Sequence, residues 1–209
     1  KNFCESPCNW RSTSSLEDFL IQNESIAISE VDTREITSLL REKGAMNSCI
    51  GSLSKISEEE AVKAAKEFKG LKGMDLAKVV STKSEYDWNE GIWPDNNESN
   101  ESYSIVAYDY GIKENILRLL TESVGRVKVV NAKTPFEEII KLKPNGIFLS
   151  NGPGDPEPCY YAIKSIKKFL EKKIPVFGIC LGHQLLALAG GASTYKMKFG
   201  HHGANHPVQ

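Results

Sequence analysis

Eleven consecutive residues near the end of the chain read Ile174-Pro175-Val176-Phe177-Gly178-Ile179-Cys180-Leu181-Gly182-His183-Gln184. The apolar beginning of this stretch predicts a short buried parallel strand, and residues 185–189 after it predict a helix. Cys180 therefore stands at a strand-to-helix turn, with Gly178 and Gly182 two residues away on either side. This pattern is typical of a nucleophile elbow in which cysteine replaces serine.

The backbone of this turn indicates the chemistry of Cys180. A tight strand-to-helix turn forces the side chain into a strained backbone region and lifts the sulfur out of the sheet. At the N-terminus of the following helix, free N–H groups and the positive end of the dipole favour a thiolate, the nucleophilic form. A lone cysteine is otherwise a small buried hydrophobe, but the flanking glycines favour the nucleophile. We therefore predict that Cys180 is catalytic.

An alternation of strands and helices extends backward from this turn to Ser104. Apolar runs predict strands over residues 105–108, 127–130, 146–150 and 175–179. The spacing of apolar residues predicts helices over residues 113–120, 136–142 and 160–172. Strands that alternate with helices in this way predict an α/β domain with a doubly wound parallel sheet.

A second motif follows the third predicted strand and reads Asn151-Gly152-Pro153-Gly154-Asp155-Pro156. Ligands of open α/β sheets bind beyond the carboxyl ends of the strands, so this loop and Cys180 are expected at the same edge. Its two glycines let the backbone approach a ligand closely and direct N–H groups at it. We predict that the N–H groups of Gly152 and Leu181 form an oxyanion hole. By itself, the loop is equally consistent with a plain Gly/Pro turn.

The first part of the chain predicts a smaller α/β domain. Polar caps and apolar spacing predict helices over residues 14–20, 32–43 and 58–68, and short apolar runs predict strands over 26–28 and 45–50. The stretch 94–102 is polar and rich in turn formers, which favours a domain boundary there. We therefore predict a domain over residues 1–80, a connector over 81–103 and a second domain over 104–209.

Composition argues against several classes of function. The 209 residues carry a net charge of −1, which gives no basis for binding nucleic acid or an anionic membrane. No apolar run approaches the ~20 residues that span a bilayer. The five cysteines are odd in number and the first residues contain no signal-peptide core, which favours a cytoplasmic setting and leaves an organelle open.

Neither a metal site nor a nucleotide site is predicted. Adjacent strand residues such as His201 and His202 point to opposite faces, and no nearby cysteine or carboxylate completes a shell with His206. No G-x-G-x-x-G or G-x-x-x-x-G-K-S/T pattern follows a strand, so we expect no ATP binding by this chain. His183, one helical turn after Cys180, is expected to support the site or to pack.

Residues 151–156 and 178–184 together resemble the class I, or triad, glutamine amidotransferases, which hydrolyse glutamine and pass its ammonia to a partner. Within that family, essentially the whole chain is similar to the small, glutamine-hydrolysing subunits of carbamoyl-phosphate synthetases. The stretches that carry the closer resemblance are Asp32-Thr33-Arg34, Leu40-Arg41-Glu42-Lys43-Gly44-Ala45, Gly73-Met74-Asp75-Leu76-Ala77, Tyr108-Asp109-Tyr110-Gly111-Ile112-Lys113-Glu114-Asn115-Ile116 and Met197-Lys198-Phe199-Gly200-His201-His202-Gly203-Ala204-Asn205-His206-Pro207. The resemblance implies a flavodoxin-like sheet.

The resemblance also implies roles for individual residues. Cys180 would form a γ-glutamyl thioester, and the positions that contact L-glutamine are matched by Gly152, Gly154, Leu181 and Gln184. The partner would be a large subunit that binds ATP and Mg²⁺ and consumes the ammonia, giving a heterodimer, while no cofactor is expected in this chain. The product would feed pyrimidine or arginine biosynthesis, because the chemistry is shared by both.

The resemblance further implies that this chain is an internal piece of such a subunit and that its second domain is truncated. The histidine and glutamate that complete the family's triad would lie beyond the position of Gln209. Two alternatives therefore stay open. One is a non-catalytic module that docks on the large subunit, and the other is an unrelated cysteine hydrolase of flavodoxin-like build.

Overall fold

The computed structural model describes residue 4 and residues 6–10, 12–92, 103–198 and 200. The chain divides into two compact units. One unit comprises the described residues up to Gly70 together with those from Lys196 onward, and the other comprises residues 71–195. Cys180 and the loop over residues 151–156 both belong to the 71–195 unit.

The first unit contains three helices, α1 (Leu16–Gln22), α2 (Thr33–Lys43) and α3 (Glu58–Glu67). Side-chain caps determine where two of them begin. Before α2, Asp32 Oδ1 accepts hydrogen bonds from the N–H groups of Arg34 and Glu35, each at 2.9 Å. At α3, Ser57 and Glu60 form a reciprocal capping box. The three helices predicted for this region are therefore confirmed to within two residues at each end.

The two strands predicted over residues 26–28 and 45–50 are wrong. Neither segment is a strand, and Ile26 and Ile28 are largely exposed, at 56% and 65%. A strand is stable only when a neighbouring strand takes its backbone hydrogen bonds along its length. Ala45 donates its N–H to the Lys198 carbonyl at 3.0 Å, and no other backbone hydrogen bond joins either segment to a neighbouring strand among the described residues. The described part of this unit therefore contains helices and no strand.

A five-stranded sheet forms the centre of the 71–195 unit. Its strands are β1 (Tyr86–Trp88), β2 (Tyr103–Asp109), β3 (Gly125–Asn131), β4 (Gly146–Leu149) and β5 (Val176–Gly178). They lie in the order β1-β3-β2-β4-β5, with β1 antiparallel to β3 and every other neighbouring pair parallel. The predicted α/β fold with a doubly wound, mainly parallel sheet is confirmed, and β1 adds an antiparallel edge strand.

Helices of the same unit cover both faces of the sheet. They are α4 (Ala77–Val80), α5 (Glu114–Val124), α6 (Phe136–Ile139), which continues as a 3₁₀ turn, α7 (Tyr160–Glu171) and α8 (Leu181–Ala189). On one face Leu117 of α5 packs in a cluster with Ala107 and Phe148. On the other face Phe169 of α7 packs in a cluster that contains Val106. Consecutive residues of β2 thus enter opposite clusters, as the two-residue period of a strand requires.

The parallel strands β2, β4 and β5 bring the loops that follow them to one edge of the sheet. In the ladder, Tyr108 of β2 pairs with Leu149 of β4, which in turn pairs with Gly178 of β5. The strand order reverses between β2 and β4, because the chain leaves β2 for β3 on one side and returns to β4 on the other. Ligands of doubly wound sheets bind at such a reversal, beyond the carboxyl ends of the strands.

The predicted domain limits at residues 1–80, 81–103 and 104–209 stay predictions. The polar stretch 94–102 lies outside the described residues, as do His201, His202 and His206. Residues 71–92 belong to the unit that contains the sheet, and β1 falls within the predicted connector.

Candidate active site

Cys180 lies directly between β5 and α8, where the sequence predicts a nucleophile elbow. Its backbone has a φ of 54° and a ψ of −112°, a region that residues other than glycine rarely occupy. The residue is exposed and is the N-cap of the nine-residue helix α8. The predicted backbone strain is therefore confirmed, and the sulfur is accessible at the edge where the parallel strands end.

Gly178 and Gly182 allow α8 to lie directly against the sheet. A Cβ on Gly182 would stand 2.2 Å from the Leu149 carbonyl oxygen, and a Cβ on Gly178 would stand 2.6 Å from the carbonyl of Gly182. The Gly182 N–H also donates a hydrogen bond to the Ser150 carbonyl at 3.0 Å. These contacts require glycine at both positions, and they set the position of Cys180 relative to the end of β4.

The loop over residues 151–156, here called the glycine loop, places Gly152 beside the start of α8. A Cβ on Gly152 would stand 2.0 Å from the Tyr110 carbonyl oxygen and 3.0 Å from Leu181 Cδ2. No described residue accepts a hydrogen bond from the N–H of Gly152 or of Leu181. Both N–H groups are therefore available to a ligand, although their role in an oxyanion hole stays a prediction.

Three polar side chains whose role the sequence did not reveal hold this edge together. Asp109 is 6% exposed, and its Oδ1 accepts hydrogen bonds from the N–H groups of Gly111 at 2.8 Å and Ile112 at 2.9 Å. Ser150 Oγ accepts the Tyr110 N–H at 2.8 Å, and Asn151 Nδ2 donates to the Gly111 carbonyl at 2.9 Å. The available signal was a polar residue directly after an apolar strand, at the edge where such strands end.

The other predicted site residues are Gly154 in the glycine loop and Gln184 on α8, whose N–H donates to the Cys180 carbonyl at 3.0 Å. Gly154 has a φ of 97°, and a Cβ there would stand 2.6 Å from the Met74 carbonyl oxygen. Gln184 is exposed on α8, and its contact with glutamine stays a prediction. His183 is also exposed and its imidazole makes no hydrogen bond within the described residues, so the structure gives no support for a packing role.

Two tyrosine hydroxyls and one thiol of the sheet unit are buried. Burial raises the pKa of the Tyr108 hydroxyl, which donates to the Thr134 carbonyl at 2.9 Å. Burial also raises the pKa of the Tyr110 hydroxyl, which has no hydrogen-bond partner in the described part of the chain. The pKa of the Cys159 thiol is raised by burial to about 12, so this thiol is protonated at neutral pH. Cys180 is therefore the accessible cysteine of the sheet unit.

The described residues contain no group of three or more histidine, cysteine, aspartate or glutamate side chains that could hold a metal ion. Among the same residues, no helix is both long enough and apolar enough to cross a membrane.

Two family models match the chain. Residues 106–209 match the family described as "Glutamine amidotransferase class-I", and residues 1–50 match "Carbamoyl-phosphate synthase small chain, CPSase domain". The first of these ranges contains the glycine loop, the elbow at Cys180 and most of the parallel sheet. Fold, site and match together define this part of the chain as a class I glutamine amidotransferase domain.

Curated relatives narrow the family further. The chain is 60% identical to a protein of Pseudomonas syringae pv. tomato, 59% identical to one of Pseudomonas putida and 57% identical to one of Vibrio cholerae. Each relative is named carbamoyl phosphate synthase small chain, and each match covers 96% of this chain and 55% of the relative. The chain belongs to the family of carbamoyl phosphate synthase small chains, and it spans about half the length of these relatives.

Proposed function

We propose that the protein containing this chain hydrolyses glutamine to glutamate and ammonia as the small subunit of a carbamoyl-phosphate synthetase. One observation carries most of the proposal. An accessible cysteine in a strained elbow stands next to a glycine loop, and two backbone N–H groups there have no acceptor among the described residues. The identity with curated small chains supports the choice of substrate and partner.

In the proposed first step, the Cys180 thiolate attacks the carboxamide carbon of glutamine and forms a C–S bond. The carbonyl π electrons move onto the oxygen, and this oxyanion accepts hydrogen bonds from the N–H groups of Gly152 and Leu181. Gly154 and Gln184 are proposed to contact the rest of the substrate. In comparable sites, loss of one oxyanion donor lowers kcat by about 10²- to 10³-fold.

Collapse of this intermediate breaks the C–N bond. The nitrogen takes a proton from a general acid and leaves as ammonia, and a γ-glutamyl thioester remains on Cys180. Water then gives a proton to the base that the first step left deprotonated and forms a C–O bond with the thioester carbon; the C–S bond breaks, glutamate leaves, and the thiolate is restored. Because the His183 imidazole is exposed and makes no hydrogen bond within the described residues, we assign the acid–base role to the His–Glu pair that the family resemblance implies.

The ammonia is proposed to pass to a large subunit, which would bind ATP and Mg²⁺ and form carbamoyl phosphate. The relatives' designation as small chains supports a larger partner. We infer a heterodimer in which this chain contributes the glutamine site. The cytoplasmic location and the choice between pyrimidine and arginine biosynthesis stay predictions.

Substitution of the proposed nucleophile tests this function. In the full-length small chain assembled with its large chain, Cys180→Ser should abolish glutamine-dependent synthesis of carbamoyl phosphate and leave ammonia-dependent synthesis intact. The exposed Cys49 provides a matched control, and Cys49→Ser should preserve both activities. Equal loss of both activities in Cys180→Ser would overturn the proposal.

Measurements on the parent protein distinguish the two alternatives. A docking module without catalysis predicts that the parent complex shows no glutamine-dependent synthesis, while its ammonia-dependent synthesis still requires the small chain for full rate. An unrelated cysteine hydrolase predicts that glutamine fails to protect Cys180 from iodoacetamide and that the chain does not bind the large subunit.

A further inference from the structure

Residues 73–77, which lead into α4 and include its first residue, contact the glycine loop and are called the brace segment here. The Asp155 N–H donates to the Met74 carbonyl at 2.9 Å, and the Gly73 N–H donates to Asp155 Oδ2 at 2.7 Å. Gly154 comes so close that a Cβ there would stand 2.6 Å from the Met74 carbonyl oxygen. Backbone contact with the brace segment therefore holds the far end of the glycine loop.

The carboxylate of Asp75 joins the brace segment to the beginning of α7. The side chain is only 7% exposed, and its Oδ2 lies 3.6 Å from Lys78 Nζ. Its Oδ1 accepts a hydrogen bond from the Tyr161 hydroxyl at 3.1 Å and one from the Cys159 thiol at 3.5 Å. Burial raises the pKa of both of these donors, so both carry their proton at neutral pH.

Separate contacts hold the near end of the glycine loop. Ser150 Oγ accepts the Tyr110 N–H at 2.8 Å and donates to the Asn151 carbonyl at 2.7 Å, while Asn151 Nδ2 donates to Gly111. Gly152 therefore stands between two anchors. The near anchor is built into the end of β4, and the far anchor depends on the brace segment and on Asp75.

We propose that Asp75 is a positioning residue for glutamine hydrolysis. Its hydrogen bonds with Tyr161 and Cys159 fix the brace segment, and the contacts of Gly73 and Met74 with Asp155 then hold the glycine loop so that the Gly152 N–H faces the reacting oxygen beside Cys180. This inference rests on the proposed function, and in this role Asp75 touches no reacting atom. Displacement of a catalytic group by about 1 Å can cost ~10²-fold in rate, so loss of the anchor should lower kcat rather than raise KM.

The test uses the full-length small chain in complex with its large chain. Asp75→Ala should lower kcat for glutamine hydrolysis by about 10- to 100-fold, with KM within about threefold of the parent. Asp75→Asn keeps an acceptor for the Tyr161 hydroxyl and should recover most of the lost kcat. Ammonia-dependent synthesis should equal that of the parent in both variants, because it bypasses the glycine loop.

Two further variants complete the design. Tyr161→Phe removes the hydroxyl that donates to Asp75 and should also lower kcat for glutamine hydrolysis. The double variant Asp75→Ala with Tyr161→Phe should have the same kcat as Asp75→Ala alone. Tyr161→Phe also keeps the inference testable if Asp75→Ala does not fold. Asp87 is the control because its exposed carboxylate lies in the same unit and pairs with Lys128 at 3.0 Å. Asp87→Ala should retain the parental kcat.

The outcomes separate the inference from the function beneath it. If the parent hydrolyses glutamine and Asp75→Ala and Tyr161→Phe both retain its kcat, the positioning role is overturned and the proposed function stands. A purely structural role is shown if Asp75→Ala and Asp75→Asn lose thermal stability and both activities in parallel, and this result also overturns positioning. A parent complex without glutamine turnover overturns the function and, with it, the role of Asp75.

Discussion

Backbone conformation and exposure distinguish Cys180 from Cys159, the other cysteine of the sheet unit. Cys159 is buried and its pKa is raised to about 12, which keeps it protonated and unreactive. Cys180 is exposed with a φ of 54°, a conformation that costs a non-glycine residue about 1–3 kcal/mol. The close backbone contacts that Gly178 and Gly182 permit hold it there.

Tyr110 offers a test of a buried polar group. Its hydroxyl is fully buried and has no hydrogen-bond partner among the described residues, whereas the Tyr108 hydroxyl donates to Thr134. Tyr110→Phe removes an unsatisfied group and should raise the free energy of unfolding by about 1 kcal/mol. Tyr108→Phe, the matched control, should lower it by about 1 kcal/mol. Urea titrations of both variants measure the two changes, and a loss in Tyr110→Phe as large as in Tyr108→Phe would contradict this account.

At the scale of elements, α8 is positioned by direct backbone contact with the sheet. The Gly182 N–H donates to the Ser150 carbonyl, and the Cα of Gly182 faces the Leu149 carbonyl with no space between them for a side chain. Because the obstructing atoms are backbone, they do not move aside as a flexible side chain would. The contact therefore couples the position of the helix N-terminus, and of Cys180, to the end of β4.

A glycine-to-alanine pair tests this coupling. Gly182→Ala would bring a Cβ to 2.2 Å from the Leu149 oxygen and should cost about 1–3 kcal/mol of stability. Gly190 at the other end of α8 has a φ of −76°, and a Cβ there would stand 3.4 Å from the Ala187 carbonyl oxygen, an ordinary van der Waals distance. Gly190→Ala should therefore be neutral or stabilise by about 0.4–1 kcal/mol. The midpoint of urea unfolding measures both, and equal effects would show that α8 does not depend on the contact at Gly182.

At the scale of the whole molecule, the sheet unit buries several weak acids in protonated form. Burial raises the pKa of the hydroxyls of Tyr108, Tyr110 and Tyr161 and of the Cys159 thiol. In the unfolded chain these groups ionise at their ordinary pKa values. Since the folded pKa is the higher one, their stabilisation is fully present below the unfolded pKa and is lost as the pH rises toward the folded pKa.

For Cys159 this loss should occur between pH 9.0, the ordinary thiol pKa, and about 12. The free energy of unfolding of the parent, measured by urea titration, should therefore fall as the pH is raised above 9, with a slope of up to ~1.4 kcal/mol per pH unit for each such group. In Cys159→Ala the free energy of unfolding should fall less steeply with pH, because one of these buried acids is absent. Cys49→Ala removes an exposed thiol and should keep the parental slope. Equal slopes in Cys159→Ala and the parent would contradict the assignment.

The sequence by itself determined the strand–helix alternation from residue 104 onward, the strained elbow at Cys180 and the shared edge of the two motifs. Each of these follows from local rules. Apolar spacing specifies strand or helix, flanking glycines indicate a close backbone approach, and parallel strands bring their following loops to one edge. The three helices of the first unit were predictable for the same reason, because their caps lie within a few residues of the first turn.

Only the tertiary structure decided which distant residues meet. Strand β1 has three residues and pairs with β3, and Asp75 meets Tyr161 across 86 residues of chain. Local spacing contains no information on either partner. The apolar runs at 26–28 and 45–50 satisfy the local pattern of a strand and yet form none, because a strand needs a second strand to accept and donate its backbone hydrogen bonds.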